Sequence, residues 1–267
     1  MSLAAIIRNA HLEGQLLVTE YHSQWMELPE DQQVYSEEAI DFVTRWMRRE
    51  FKHERKGRFS ASEIGHSCNR RKLFSYAGAP KIGADLDSLH IMGSGTKGHL
   101  FWQMEGLSYP FDSPWLQAPE AWVYDPDYRV GGSIDGIIRA VGSPPLEIKT
   151  VAYGKFNRIQ REDAPEYEHL LQLAVYQWLR NSDRASLVYD DRNTGLFHEF
   201  IVARDEKLEA EVIRRLNALN NWVADDLVPP MLDDCEMRQG ETYRSCPYRK
   251  VCPKIKKKLS EVNQYVS

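Results

Sequence analysis

Long apolar runs are absent from this sequence. Nowhere in its 267 residues does a stretch approach the roughly 18 to 20 apolar residues that a membrane-spanning helix needs. The N-terminal stretch MSLAAIIRNAHLEG has only a short apolar run and no small-residue cleavage site, so we expect no secretory signal. These absences predict a protein of the reducing cytoplasm with no membrane partner, in which cysteines are metal ligands rather than disulfides.

The sequence also lacks the pattern G-x-x-x-x-G-K-[ST], internal repeats and low-complexity segments. Without that pattern we expect no ATP-driven unwinding from this chain. The composition, with 42% hydrophobic and 27% charged residues, is typical of a globular protein that buries a substantial core.

Excess positive charge is missing as well, since the formal net charge is −5. That value argues against a protein that coats nucleic acid non-specifically. The basic residues nevertheless gather in short runs, over 48–49, 52–58, 70–72 and 250–258. Such runs favour an enzyme that holds a polyanion in one groove, although each of them alone is equally compatible with a solvated face.

Hydrophobic periodicity and turn residues predict a mixture of helices and strands. The predicted helices span 35–51, 99–105, 164–180 and 207–226, and a turn within 60–76 leads into a helix that contains Cys68. The predicted strands span 121–128, 130–140, 146–151, 185–189 and 196–203. We expect the glycine-rich segment 93–98 to open the helix over 99–105, and Asp163 to cap the helix over 164–180.

Two acidic residues lie in neighbouring predicted strands, Asp135 in GGSIDG and Glu147 in LEIKT. Side chains at i and i+2 of a strand share a face, so Glu147 and Lys149 point the same way. Carboxylate oxygens suit Mg²⁺ or Mn²⁺, and the backbone carbonyl of Ile148 can add a further ligand. Lys149 can orient an attacking water or stabilise charge on a phosphate. The set predicts a metal centre for phosphodiester hydrolysis, and a salt-bridged strand is the simpler alternative.

Two further motifs flank these strands. The segment 95–99 reads GTKGH and ends at His99, and the later predicted helix carries Gln172 and Tyr176. Their i,i+4 spacing puts the last two side chains on one helix face. In this order, the motifs resemble the PD-(D/E)XK nuclease superfamily in its RecB-like branch.

The resemblance implies a role for each motif residue. The histidine His99 would ligate the metal together with Asp135 and Glu147, Lys149 would act in catalysis, and the glutamine and tyrosine of the helix would support that lysine and the DNA backbone. The chain departs from the pattern at Gln103, where some relatives carry an acidic residue. The number of metal ions therefore stays open.

The four cysteines are Cys68, Cys235, Cys246 and Cys252. One precedes the nuclease-like motifs and three follow them, so a shared ligand set requires the fold to bring the two ends together. Metal binding would then close a very long loop and lower the entropy of the unfolded chain. Thiolate ligands suit a [4Fe–4S] cluster or Zn²⁺, and spacing alone leaves both open, beside four free buried thiols.

The cysteine pattern resembles that of the iron–sulfur nucleases, which include the CRISPR-associated Cas-four-type exonucleases. The last cysteine pair is spaced C-x5-C-P, and the segment 62–71 reads S-x-I-x-x-x-C-x-R-R, close to the cluster-entry motif of these enzymes. The ten residues between Cys235 and Cys246 depart from the commoner gap of two. The resemblance implies a structural [4Fe–4S] cluster, because phosphodiester hydrolysis moves no electrons.

The fold implied by the resemblance is of the α/β class, restriction-endonuclease-like. It has a central mixed sheet flanked by helices, and a cysteine-ligated cluster joins the N- and C-terminal segments. Residues 1–267 would form a single nuclease domain. Its parts would be an N-terminal helical region over 1–92, a catalytic core over 93–204, and a C-terminal helix with the three-cysteine segment over 205–267.

The function implied is a Mg²⁺- or Mn²⁺-dependent DNA exonuclease that acts on single strands or frayed ends. It would serve phage-type recombination or CRISPR adaptation, in a prokaryotic or phage-infected cytoplasm, with a recombinase, a helicase or an adaptation protein as partner, or as a homo-oligomer. The predicted DNA contacts are Arg70, Arg71, Arg158 and Arg161.

Aromatic residues near the motifs are further candidates, because base stacking needs exposed rings. Tyr153 and Phe156 could stack on bases, whereas Trp102 is expected in the core. Two other functions remain open: a structure-selective endonuclease with Zn²⁺ in place of the cluster, and a non-catalytic iron–sulfur DNA-binding adaptor. Cutting of sealed circular DNA would favour the endonuclease, whereas the intact acid–lysine set argues against the adaptor.

Overall fold

The computed structural model describes residues 18–51, 56–83, 86–110 and 113–266. The helices are α1 Val18–Glu27, α2 Glu37–Met47, α3 Ala61–Ile64, α4 Asn69–Tyr76, α5 Leu86–Gly106, α6 Tyr153–Glu162, α7 Tyr167–Arg180, α8 Glu206–Ala224, α9 Asp233–Glu236 and α10 Gly240–Ser245. The strands are β1 Phe59–Ser60, β2 Leu116–Asp125, β3 Val130–Ile138, β4 Pro145–Val151, β5 Arg184–Asp191 and β6 Phe197–Ala203. Short 3₁₀ helices span Glu30–Gln32, Cys252–Lys254 and Leu259–Tyr265.

The six strands form one sheet in the order β1-β3-β4-β5-β6, with β2 paired to β3. Strand β3 is parallel to β1 and antiparallel to β2 and β4, and β4 and β5 are parallel. Strands β5 and β6 form the antiparallel hairpin that their turn residues predict. The expected central mixed sheet with flanking helices is therefore confirmed.

Strands β3 and β4 pair over a short length, at Gly136–Leu146 and Ile137–Pro145. Next to these pairs, the Asp135 side chain replaces a backbone partner and accepts the Ile148 N–H at 2.7 Å through Oδ2. The two strands are thus joined by a carboxylate where a regular ladder would continue.

Helix α7 lies between two hydrophobic clusters of the core. Its Leu171 and Val175 pack in the cluster that contains Val212 of α8. Its Leu170 packs in the cluster that contains Leu187 of β5. Because both faces of α7 are buried, the side chains that it directs at the sheet are held firmly.

Helix α5 is much longer than predicted, because it runs straight through the glycine-rich segment 93–98. One of these glycines is needed for close packing: a Cβ on Gly98 would lie 2.9 Å from Asp190 Oδ2 and 3.0 Å from Thr150 Oγ1. Gly98 therefore permits close approach of the helix to the sheet, and the glycine-rich segment does not begin the helix. Among the described residues, no helix has both the length and the apolar character to span a bilayer.

The prediction that Asp163 caps the next helix is wrong. Asp163 ends α6 as its C-cap in the left-handed conformation, with φ 46° and ψ 45°, and Glu166 is the N-cap of α7. The helix α6 itself was missed, because 153–162 is dominated by polar and charged residues and buries only Phe156 and Ile159.

Candidate active site

Strand β4 presents the acid and the lysine on one face, as their spacing predicts. Glu147 is buried, and its Oε1 lies 2.6 Å from Lys149 Nζ. Burial raises the pKa of Glu147 to about 7, with the Asp135 charge adding to the rise and Lys149 opposing it. Burial alone would lower the pKa of Lys149, but the two carboxylates keep it above its usual value. The ammonium group is therefore charged beside a readily protonated acid.

Asp135 of β3 completes the acidic pair. Its Oδ1 lies 3.4 Å from Nδ1 of His99, which comes from α5. Burial alone would raise the pKa of Asp135, but His99, Lys149 and the Ile148 N–H hold it below its usual value. The same contact raises the pKa of His99 to about 9 against the effect of burial. The structure thus brings together four of the predicted site residues from three separate elements.

Helix α7 supplies the supporting polar groups. Gln172 accepts from Lys149 Nζ at 2.8 Å, and its Nε2 donates to Glu147 Oε1 at 2.8 Å and to the Tyr176 hydroxyl at 3.2 Å. The Tyr176 hydroxyl donates to the carbonyl of Ser133 in β3 at 2.8 Å. Both side chains therefore tie α7 to the β3–β4 junction, and the i,i+4 spacing places them together as expected.

Glycine at 132 makes this contact possible. A Cβ on Gly132 would lie 2.8 Å from the Tyr176 hydroxyl oxygen and 3.2 Å from Ala61 Cβ. A larger residue here would displace the tyrosine from the strand.

A third carboxylate, Glu120 of β2, was missed by the sequence analysis. Its neighbours Pro119 and Ala121 pair with Gly136 and Ile134, so Glu120 lies opposite Asp135 across the β2–β3 ladder. Its backbone has φ 49°, a conformation that a residue with a Cβ rarely adopts.

Gln103, the residue that departs from the family pattern, holds this third acid. Its Nε2 donates to Glu120 Oε1 at 3.1 Å and to the backbone carbonyl of Asp135 at 2.7 Å. Ser133 donates to Glu120 Oε2 at 2.5 Å. Burial raises the pKa of Glu120, and the Asp135 charge adds to the rise. Only an acid near position 120 in the strand before GGSIDG could have hinted at this arrangement.

The donor set has the chemistry of a hard-cation site. Asp135 lies beside His99 and is near enough for its charge to raise the pKa of Glu120 and of Glu147, and Glu147 Oε2 is buried without a hydrogen-bond partner. An unpaired buried carboxylate oxygen is costly, and coordination to a cation would compensate it. In the described part of the chain, no group of three or more His, Cys, Asp and Glu side chains is positioned to hold a metal ion. The Ile148 carbonyl ligand stays a prediction.

Arg70 corrects one of the predicted DNA contacts. It is buried, and its Nε donates to Cys252 Sγ at 3.3 Å. Its terminal nitrogens donate to the carbonyls of Pro229, Cys252 and Ile255 at 2.8, 2.9 and 2.6 Å. A guanidinium committed to the interior cannot reach a phosphate, so Arg70 instead ties α4 to the C-terminal segment.

The other predicted DNA contacts lie nearer the surface. Arg71 is half-buried, with Nε 3.7 Å from Glu63 Oε1. Arg158 and Arg161 are exposed on α6, and Arg158 forms an ion pair with Glu166 at 2.6 Å. Their contact with DNA stays a prediction.

The aromatic candidates for base stacking differ in how deeply they are buried. Trp102 is buried, as expected, and Phe156 is also fully buried, which rules it out as a base-stacking residue. Tyr153 is half exposed at the start of α6 and remains available.

The four cysteines come from segments far apart in the sequence, and among the described residues they do not form, as they stand, a group that could hold a metal ion. Burial raises the pKa of Cys235 to about 11, and the charges of Cys68, Cys246 and Cys252 add to the rise. All four are free thiols. Because the charges of these thiolates would repel, a bound metal or cluster would be needed to hold them in the ionised form.

Known proteins resemble this chain in fold. No protein-family model matches it, and no curated protein matches it. The crystal structure of LHK-Exo in complex with dAMP matches with a TM-score of 0.52 at 16% identity, over 66% of this chain and 93% of that one.

Two other solved structures are more distant. One is the alkaline exonuclease LHK-Exo from Laribacter hongkongensis, with a TM-score of 0.48 at 14% identity, over 66% of this chain and 93% of that one. The other is a phage-related exonuclease from Haemophilus somnus 129PT, with a TM-score of 0.43 at 12% identity, over 63% of this chain and 94% of that one. The first similarity shows that the chain shares the fold of LHK-Exo.

Proposed function

We propose that this chain, which shares the fold of an exonuclease, is a Mg²⁺- or Mn²⁺-dependent DNA exonuclease. The observation that carries the proposal is the convergence of Asp135, Glu147, Lys149 and His99 at the point where β3 and β4 separate. Holding a half-buried lysine beside two acids is expensive for stability. A hydrolytic centre requires it.

Each side chain has a task in this proposal. Asp135, Glu147 and His99 would hold the cation, which supplies Lewis-acid activation of a phosphate oxygen and of water. Lys149 would place its ammonium against the charge that develops on the scissile phosphate. Gln172 keeps that ammonium and the Glu147 carboxylate in fixed positions. The exposed Arg158 and Arg161 would contact the DNA backbone.

The cysteines would hold a structural [4Fe–4S] cluster. Two observations support this. Burial raises the pKa of Cys235 and the charges of the other three cysteines add to the rise, and the Arg70 guanidinium provides a cation beside Cys252. A cluster dianion would be partly balanced by that arginine, and the cross-link would join α4 to the C-terminal segment. Zinc is the alternative, and metal analysis of anaerobically purified protein separates the two.

The decisive experiment incubates end-labelled linear DNA and sealed circles with the protein and Mn²⁺. We expect stepwise loss of label or shortening of linear DNA, intact circles, and full inhibition by a chelator. Lys149→Ala should abolish cleavage, while Lys207→Ala, an exposed lysine of α8, should not. Cleavage of sealed circles would establish an endonuclease instead. Cleavage that survives Lys149→Ala would refute the proposed active site. Binding of DNA without any cleavage would favour the non-catalytic DNA-binding adaptor.

A further inference from the structure

A pocket of about 420 Å³ lies between α2 and α5, beside the proposed catalytic centre. Its lining residues are Trp46, Met92, Gly95, Thr96, His99, Leu100, Gln103 and Glu120. Its volume is within the range of small-molecule sites and exceeds that of one nucleobase.

The pocket is continuous with the catalytic centre. His99 forms part of its wall, and the same imidazole lies 3.4 Å from Asp135 Oδ1. Only the His99 side chain would therefore separate a ligand in the pocket from the proposed catalytic centre.

The walls combine apolar surface with a polar edge. Trp46, Met92 and Leu100 supply an aromatic ring and flexible apolar groups. Gln103 is fully buried, and its Oε1 has no hydrogen-bond partner. A buried acceptor without a partner is costly, and a ligand N–H would satisfy it. A flat ligand with apolar faces and N–H groups at its edge fits these walls, and a nucleobase has that chemistry.

An apolar stripe leads along α5 towards the pocket. Leu86, Leu89 and Met92 recur every three residues and are 83%, 53% and 62% exposed. Three large apolar side chains exposed in a row on one helix indicate a contact surface. Because the stripe reaches the pocket at Met92, one strand could follow the helix with its bases against the stripe.

Two arginines close to Trp46 in the chain favour a nucleic acid over a purely apolar ligand. Arg48 and Arg49 follow directly after the end of α2, two and three residues beyond Trp46, and both are exposed. Two exposed cations that follow a pocket-lining ring so closely in the chain match a base followed by its phosphate.

We infer that this pocket receives the terminal base of a single DNA strand and so places the adjoining phosphate at the catalytic centre. The inference rests on the proposed nuclease function and adds to it the element that recognises the DNA end. Trp46 and Met92 contact the base, Gln103 accepts from its edge, and Arg48 and Arg49 contact the phosphates.

The test uses the protein with Lys149→Ala, so that DNA stays intact. Single-stranded oligonucleotides carry 2-aminopurine at the 5′ end, the 3′ end or the middle, and its fluorescence is followed on titration. We expect strong quenching at one end only. Adding Trp46→Ala should remove that quenching and weaken binding roughly tenfold. Met92 is at an exposed position that tolerates a polar residue, and Met92→Gln should weaken both the terminal quenching and the binding of DNA.

A matched control is Trp222→Ala on α8, which also removes a half-buried tryptophan. It should leave the terminal quenching unchanged. Terminal quenching that is lost in either wall variant, but not in the control, supports the pocket. Equal quenching at all three positions, or quenching that survives in both wall variants, overturns it. The proposed function fails separately, if wild-type protein with Mn²⁺ leaves linear DNA uncut while the terminal probe is still quenched.

Discussion

Gln172 joins the acid and the lysine of β4. Its Nε2 donates to Glu147 Oε1 and its Oε1 accepts from Lys149 Nζ, both at 2.8 Å. Glu147 Oε1 and Lys149 Nζ lie 2.6 Å apart, so one amide holds both partners of this ion pair from the side of α7. The Tyr176 hydroxyl, 3.2 Å from the same nitrogen, fixes the amide in turn.

Replacing Gln172 with Leu should lower kcat for DNA cleavage by roughly 10- to 100-fold, the usual effect of losing a group that orients catalytic side chains. DNA affinity should change little, because the amide is buried and does not face the substrate. Gln177→Leu is the matched control on the same helix, since its Nε2 donates to the Val202 carbonyl at 2.9 Å. The control should lower stability and leave kcat within about twofold. Equal losses of kcat in both variants would contradict the positioning role.

Replacing Glu120 with Gln should weaken Mn²⁺ activation of cleavage, raising the half-saturating Mn²⁺ concentration roughly tenfold. The reason is that Glu120 adds negative charge opposite Asp135 and is held by Gln103 and Ser133. Glu199→Gln is the matched control, because Glu199 is also buried and accepts from Ser186 at 2.5 Å, but in β6. An unchanged Mn²⁺ dependence of Glu120→Gln would show that the third acid is structural only.

Replacing Glu147 with Gln should stabilise the metal-free protein at pH 8 more than at pH 5. Burial raises the pKa of the folded-state carboxyl from 4.5 to about 7. The folded chain therefore holds more protons than the unfolded chain between these values, and wild-type stability falls as the pH rises through them. The amide has no such loss, so we expect a gain of roughly 5 °C in Tm at pH 8.

The measurement is thermal unfolding in chelator at pH 5, 6, 7 and 8, followed by circular dichroism. The Tm difference between Glu147→Gln and wild type should grow with pH and level off above pH 7. A difference that stays constant over this range would mean that Glu147 ionises normally in the folded protein.

Replacing Cys235 with Ser should remove bound iron and lower the Tm by several degrees, because the cross-link between the chain ends is lost. Cys235 is half-buried, so the small change in side-chain volume should by itself have little effect on stability. Brief EDTA treatment of wild-type protein is the complementary control: it should stop cleavage while the visible absorbance remains. Iron content that is unaffected by Cys235→Ser, or its replacement by zinc throughout, would contradict the cluster.

The sequence by itself determined the features that depend on local spacing. A strand alternates its side chains, so E-x-K had to place Glu147 and Lys149 on one face. A helix repeats every 3.6 residues, so Gln172 and Tyr176 had to share one side of α7. The interleaved helix and strand patterns predicted the α/β class, whereas the central mixed sheet was implied by the family resemblance.

Only the tertiary structure decided what depends on contacts between distant residues. Glu120 became part of the site because the β2–β3 register sets it opposite Asp135 and Gln103 reaches both. Arg70 went into the interior because four acceptors from the C-terminal segment surround its guanidinium there. Burial and partners across the fold are not encoded in local spacing, and they set the role of a charged side chain more strongly than its neighbours in sequence.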